Sequence, residues 1–297
     1  MLNFGLKLGG SGQHKPFRPF TPADLFLQGE QGAWYLIRPE LLFQDSAGTV
    51  LVTADGDPFG LILDQSQGLA LGPEQATNGG FDTDLTGWSQ NNPGYWVQED
   101  GRAFHAESSN YNSLSQYYTG LTGSYEVTFT LEVTSGRMLY FYESNPSTTV
   151  NGSNFGVGTY NIKFIANAGL GKLGFARLGG ATGAGYVDNV SVKELPGNHA
   201  AQATSSKRPS AINVPPWKAA FDGVDDELVV TFASSLGSDC TIARAVPGTG
   251  ASILTGQTIG INYTINSDFN ALVIVDRALT SAETTQLTAY LNQTSGV

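Results

Sequence analysis

The sequence predicts an all-β fold of two β-sandwich domains, with a short N-terminal arm and one C-terminal helix. Three observations carry this. Glycine is abundant, 37 of 297 residues, and charged residues make up only 14%, a mix that suits sheets joined by tight turns better than helices. Over residues 124–134, Tyr125, Val127, Phe129, Leu131 and Val133 alternate with Glu126, Thr128, Thr130, Glu132 and Thr134, the period of a half-buried antiparallel strand. Similar short runs recur with turn residues between them, as in a sandwich.

Residues 1–22 form the arm. They hold Gly9, Gly10, Gly12, Pro16, Pro19 and Pro22 beside Phe4, Phe17 and Phe20. So many breakers exclude a long helix, and aromatics on such a segment suit docking onto a neighbouring subunit. Thr21 then caps a short helical turn with Pro22 at its first position. Residues 33–37, 49–52 and 61–63 are predicted strands. Between 78 and 195, strands are predicted at 95–97, 114–118, 124–133, 137–142, 158–165, 172–178 and 186–193. A polar Ala/Ser/Thr linker follows Gly197 and leads to Trp217, with further strands predicted at 221–232 and 270–276. Thr280-Ser281-Ala282-Glu283 is a capping box. It opens a helix that carries Leu287, Tyr290 and Leu291 on one face.

The net charge is -11 and the isoelectric point is near 4.6. A general nucleic-acid binder needs a basic stripe to displace counterions, and none is visible, so no nucleic-acid partner is expected. The one cysteine, Cys240, allows no intrachain disulfide and reads as a small buried apolar residue. That is compatible with folding in a reducing bacterial cytoplasm. No apolar run is long enough to span a bilayer, and no signal-peptide core is visible at the N-terminus. Neither membrane insertion nor signal-directed export is therefore expected.

Asn78-Gly79-Gly80-Phe81-Asp82 followed by Gly87-Trp88, together with Tyr186-Val187-Asp188-Asn189-Val190-Ser191-Val192, resembles the opening and closing segments of carbohydrate-binding modules with the galactose-binding-like jelly roll. Residues 20–26, 29–35 and 42–49 resemble the start of many phage and prophage virion proteins. In those proteins a stretch like residues 60–66 runs almost directly into one like 197–204. The resemblance therefore implies that residues 69–196 are a jelly roll inserted into a discontinuous outer domain of residues 23–68 and 197–297. Such insertions occur at surface loops whose ends lie close together. Phe221-Asp222-Gly223-Val224-Asp225-Asp226-Glu227-Leu228 and residues 272–283 resemble a strand signature, and the last strand and terminal helix, of concanavalin-like or laminin-G-like sandwiches. The outer domain is short for that fold, so either strands are missing or a neighbouring subunit completes it.

Sugars are bound by flat aromatic faces with polar groups at their edges. In the inserted domain Trp96, Tyr95, Tyr111, Tyr117, Tyr118, Tyr140 and Tyr142 are candidates; Trp88 is assigned to the core. If Phe141 points inward, Tyr140 and Tyr142 share the outward face. The carbohydrate-module resemblance also implies a structural calcium ion, with Asp188 as the best-matching ligand, Asp82 second, and backbone carbonyls near Gly79. Asp222, Asp225 and Asp226 read as a turn that bonds its own backbone.

The three histidines, His14, His105 and His199, have no metal-ligand spacing. No nucleophile-elbow, zincin or phosphate-loop motif occurs. Glu99-Asp100 and Asp225-Asp226 are adjacent carboxylates whose side chains diverge, so no catalytic role is expected. The expected function is that of a head-fibre, spike or tail-fibre component at the surface of a phage or gene-transfer-agent particle. In that picture the arm and outer domain contact other virion subunits, the chain is oligomeric in the particle, and the jelly roll binds host surface polysaccharide. The alternative is an architectural decoration protein that binds no sugar.

Overall fold

The computed structural model describes residues 18–105, 112–119, 121–133, 138–144, 148–149, 153–165, 170–177 and 184–297. The structure is all-β with one α-helix, Ser281–Ser295. The arm up to Phe17 lies outside the described residues, as does Tyr111. The turn after Thr21 is a short 3-10 helix, Pro22–Phe26, with Asp24 accepting the Thr21 amide.

The outer unit has two layers. Gly32–Leu36, Ala271–Val275, Gly237–Val246 and Gly250–Ile259 form a four-stranded antiparallel sheet in that order. Leu42–Phe43, Leu61–Ile62, Ala200–Ala201, Leu228–Thr231 and Asn262–Ile265 form a five-stranded one. Ala33, Tyr35, Ile62, Val230, Cys240, Phe269 and Ile274 fill the space between them. The opposite face of the four-stranded sheet is covered too. Trp34, Leu36, Ala243, Ala245 and Val273 pack there with Leu287 and Leu291 of the helix. Burial on both faces explains why Gly32–Leu36 and Ala271–Val275 are continuous apolar runs rather than alternating ones.

The capping box forms as expected. Thr280 Oγ1 accepts the Glu283 amide, and Glu283 accepts the Thr280 amide at 2.8 Å. Arg277 holds the Glu283 carboxyl down to about 2.

Three expectations for this unit need correction. Residues 49–52 make a single bridge, Phe43 to Leu51, and leave Val50 and Leu51 about half exposed, so they are not a strand. Of residues 221–232 only Leu228–Thr231 is a strand. The preceding residues form a turn in which Asp222 accepts the amides of Val224, Asp225 and Asp226. Finally, the apparent shortage of strands is met by Gly237–Val246, Gly250–Ile259 and Asn262–Ile265.

The inserted unit is a second sandwich. Its first sheet runs Thr148–Thr149, Met138–Ser144, Leu170–Arg177, Asn112–Tyr117, Ser89–Gln90, with Ser153–Phe155 also paired to Met138–Ser144. Its second runs Gly158–Phe164, Ser124–Val133, Gly185–Leu195, Arg102–His105, Trp96–Glu99. Phe81, Trp88, Trp96, Leu114, Val127, Phe129, Leu131, Leu173, Phe175 and Val192 form the core between them. The opening and closing segments meet: the Val190 amide donates to the Gly79 carbonyl at 2.9 Å, and Trp88 Nε1 donates to the Thr77 carbonyl at 2.9 Å.

The chain leaves the outer unit after Asp64 and returns at Asn198, and these residues touch. The Asn198 amide donates to Asp64 Oδ2 at 2.7 Å. Trp34 and Ser66 donate their amides to Oδ1 at 2.7 and 2.8 Å, and the Ser66 hydroxyl donates to Oδ2 at 2.8 Å. The Asp64 amide in turn donates to His199 Nδ1 at 3.0 Å, while the Tyr35 hydroxyl donates to the Asn198 carbonyl. Asp64 is fully buried, and burial pushes its carboxyl up to about 6 against four donated hydrogen bonds. Burial also pushes His199 down to about 4. Gly197 sits at φ +111°, where a Cβ would lie 2.9 Å from Asp64 Oδ2, so only glycine lets the returning chain pass. Beyond this clasp, Leu61–Ile62 and Ala200–Ala201 pair directly. On the inserted side, the Gly72 and Gln75 amides donate to the carbonyls of Glu194 and Val192. A lateral contact joins the units as well. The Lys163 amide donates to the Ala47 carbonyl at 2.7 Å, and its ammonium lies 4.9 Å from the centre of the Phe43 ring.

Candidate functional site

The register of the first inserted sheet sorts its residues into two rows. Leu114 pairs with Phe175, and both are fully buried. Alternation then sets Ser113, Ser115 and Tyr117 on the other row, opposite Ala176, Gly174 and Lys172. Tyr117 is 63% exposed, the only exposed aromatic among the described side chains. The Lys172 ammonium lies 5.2 Å from its ring centre, a cation–π distance. The small residues of this row, Ser113, Ser115 and Ala176, are buried. The result is an exposed aromatic face with a cation beside it.

The other aromatic candidates fall elsewhere. Trp96 is 1% exposed and belongs to the core, its ring edge-on to His105 at 4.9 Å. It is corrected from surface contact to packing. Its strand pairs with Arg102–His105, and that register turns Trp96 inward and leaves Val97 42% exposed. Tyr95 is half-buried. Tyr118 is 9% exposed, and burial pushes its phenol up. Tyr140 and Tyr142 pair with Phe175 and Leu173, both fully buried positions, while Phe141 pairs with Gly174. The side chains of Tyr140, Phe141 and Tyr142 lie outside the described ones.

A second aromatic group, which sequence reasoning missed, lies on the outer face of the second sheet. Phe104 and Tyr186 stack at 4.8 Å. The Arg102 guanidinium covers the Tyr186 ring at 3.9 Å and pairs with Glu132 at 2.6 Å. The Tyr186 hydroxyl donates to Glu99 at 3.1 Å. With its ring already covered by arginine, this group offers a sugar less than Tyr117 does.

No family model matches the chain, and no curated protein does. Solved structures of carbohydrate-binding modules are similar to part of it. One, CBM4, is 16% identical over 39% of this chain and 97% of its own, with a TM-score of 0.30. Another, TmCBM61 in complex with β-1,4-galactotriose, is 17% identical over 40% of this chain and 97% of its own, with a TM-score of 0.33. The family 11 module of the cellulosomal cellulase Lic26A-Cel5E of Clostridium thermocellum is 10% identical over 43% of this chain and 97% of its own, at 0.29. The fold assignment above stands on the sheets and their register.

The calcium candidates can be tested against the geometry. Burial and the nearby charges of Asp82 and Glu132 raise the Asp188 carboxyl, against a hydrogen bond from the Asn189 amide and the charge of Arg102. Asp82 and Asp188 thus lie close enough to repel each other. The Gly79 carbonyl already accepts the Val190 amide, and a carbonyl oxygen has a second lone pair. A hard cation takes oxygen ligands of these kinds. Asp222, Asp225 and Asp226 also bring carboxylate oxygens within 4.8 Å of one another. There Asp222 and Asp226 bond the turn's own backbone, in keeping with the expected Asp-stabilised turn.

Proposed function

We propose that the inserted sandwich is a non-catalytic glycan-binding module, carried by the outer unit at the surface of a phage-like particle. The observation that carries the glycan reading is Tyr117. A largely exposed ring costs apolar hydration unless something stacks on it, and sugar C–H faces do so while their hydroxyls reach polar neighbours. Lys172, beside the ring, supplies such a neighbour. The particle location is supported by the resemblance of residues 20–49, 60–66 and 197–204 to virion proteins. There the outer unit and arm contact other subunits, and many copies multiply weak single contacts.

The full chain is therefore expected to bind a subset of bacterial surface polysaccharides on a glycan array. Tyr117→Ala should weaken that binding about tenfold, ~1.4 kcal/mol, with the thermal midpoint unchanged because Tyr117 is outside the core. Binding that is absent, or equally strong in the variant, overturns the assignment; complete absence leaves the architectural role.

The same reading includes a structural calcium ion held by Asp82, Asp188 and the Gly79 carbonyl. Calcium should raise the thermal midpoint in a concentration-dependent way, and the response should vanish in Asp188→Asn. A midpoint indifferent to calcium and to chelator removes the ion.

A further inference from the structure

A cavity of about 130 Å³ opens on the outer unit, between its two layers. It lies beside Gly250–Ile259 and Asn262–Ile265, which end the two sheets on that side. Its floor is apolar: Phe269, Leu272 and Ile265 are nearly or fully buried. Its rim holds Leu254, 51% exposed, so the cavity is reached from solvent. Its polar wall is Arg244 with Tyr263 and Ser252.

Arg244 has no acidic partner among the described residues of this acidic chain. Its guanidinium donates to the Ser267 hydroxyl. Among the described residues no carboxylate lies within ion-pair distance of it, and unlike the equally unpaired Arg38, Lys193 and Arg208 it lines this cavity. A guanidinium has five N–H donors in a planar fork that matches a carboxylate bidentately. Here that fork lies beside a half-buried phenol, Tyr263, on whose ionisation the Arg244 charge acts. An apolar floor below a cation with no carboxylate partner suits an anion that carries an apolar body. A dry cavity of ~150 Å³ admits a molecule the size of benzene. This one therefore takes a carboxylate and a few carbons, not an oligosaccharide.

We infer that the Arg244 cavity is a binding site for a carboxylate-bearing group, either a small free acid or the acidic end of a uronate sugar. The carboxylate pairs with Arg244, the Tyr263 hydroxyl adds a donor, and the carbon skeleton rests on Phe269 and Leu272. The site is separate from the Tyr117 face and stands whether or not that face binds glycan.

Calorimetric titration of the full chain at low ionic strength tests it, with butyrate, glucuronate and glucose as probes. At least one of the two acids should bind saturably at one site per chain, and glucose should not bind there. Arg244→Gln should weaken acid binding at least tenfold. Ser252→Phe, which fills the cavity and keeps the cation, should abolish it. Tyr117→Ala should leave it unchanged. Butyrate alone assigns a free aliphatic acid; glucuronate assigns an acidic sugar. Saturation by neither acid overturns the inference. So does binding that survives Ser252→Phe, which decides the matter even if Arg244→Gln fails to fold.

Discussion

Asp64→Asn should lower the stability of the outer unit by on the order of 3 kcal/mol. Four donors converge on the Asp64 carboxylate and none of its neighbours there accepts from it. An amide puts its own two N–H groups among those donors. At least one buried amide of Trp34, Ser66 or Asn198 then loses its acceptor. Chemical denaturation of the two proteins at pH 7 measures the difference, and a loss below ~1 kcal/mol would show the clasp to be incidental.

The pH profile sharpens this test. The Asp64 carboxyl is raised in the fold from an ordinary value of 3.8 to about 6. The stability linked to it is therefore fully present in acid and falls as pH rises through about 6. His199 is lowered from 6.5 to about 4. Its contribution is present above pH 6.5 and falls as pH drops toward 4. Between pH 4 and 6 the two slopes oppose, so the parent protein should be nearly flat there. Asp64→Asn removes one slope and leaves the other. The variant should lose further stability on acidification from 6.5 to 4, and a flat profile in the variant rules this linkage out.

Gly79→Ala is expected to damage the inserted sandwich selectively. A Cβ at Gly79 would lie 1.8 Å from the Val190 carbonyl oxygen, closer than any non-bonded contact allows. The obstacle is backbone, in the longest strand of the unit, Gly185–Leu195, which pairs on one side with Ser124–Val133. Val190 lies between the laddered residues Asp188 and Ser191, which hold it in place, so the opening segment must lift away. The hydrogen bond from the Val190 amide to the Gly79 carbonyl is lost, and Phe81 and Trp88, packed at 5.2 Å, separate from the core. A cost of ~2–4 kcal/mol is expected. Hydrogen exchange should place it in residues 78–195 and leave the protection of Ala271–Val275 unchanged; loss spread evenly over both units would contradict this.

Much of this structure was legible in the sequence, for physical reasons. Ser124–Val133 has one face on a core and one on solvent, so its alternation declares itself. The capping box needs only local geometry. The convergence of Asp64 on Asn198 followed from resemblance and not from any local pattern. Gly237–Val246 escaped notice because both of its faces are covered from Cys240 to Ala245. Its inward residues on one side are Ala243 and Ala245, small enough to pass for loop. Gly250–Ile259 carries two glycines and an exposed middle.

At the candidate site, the inclusion of Trp96 among the surface aromatics failed on parity. In a strand of four residues either face can be the inner one. Only the partner strand, set by pairing 30 or more residues away for Tyr117 and by a hairpin for Trp96, settles which it is. Residue type favoured tryptophan for a sugar contact, but the largest ring is also the most useful filler of a sandwich core.

The pairing of Leu61–Ile62 with Ala200–Ala201 has a mechanical consequence. Both chain passes into the inserted sandwich continue from neighbouring strands in the interior of a five-stranded sheet, with Leu42–Phe43 on one flank and Leu228–Thr231 on the other. Traction on the inserted sandwich is thus divided between two strands that run side by side. Neither can be unzipped from a free margin, and the Asp64 clasp must open before either takes up load alone. A tether that yields in this all-at-once manner resists pulling better than a single linker of the same length.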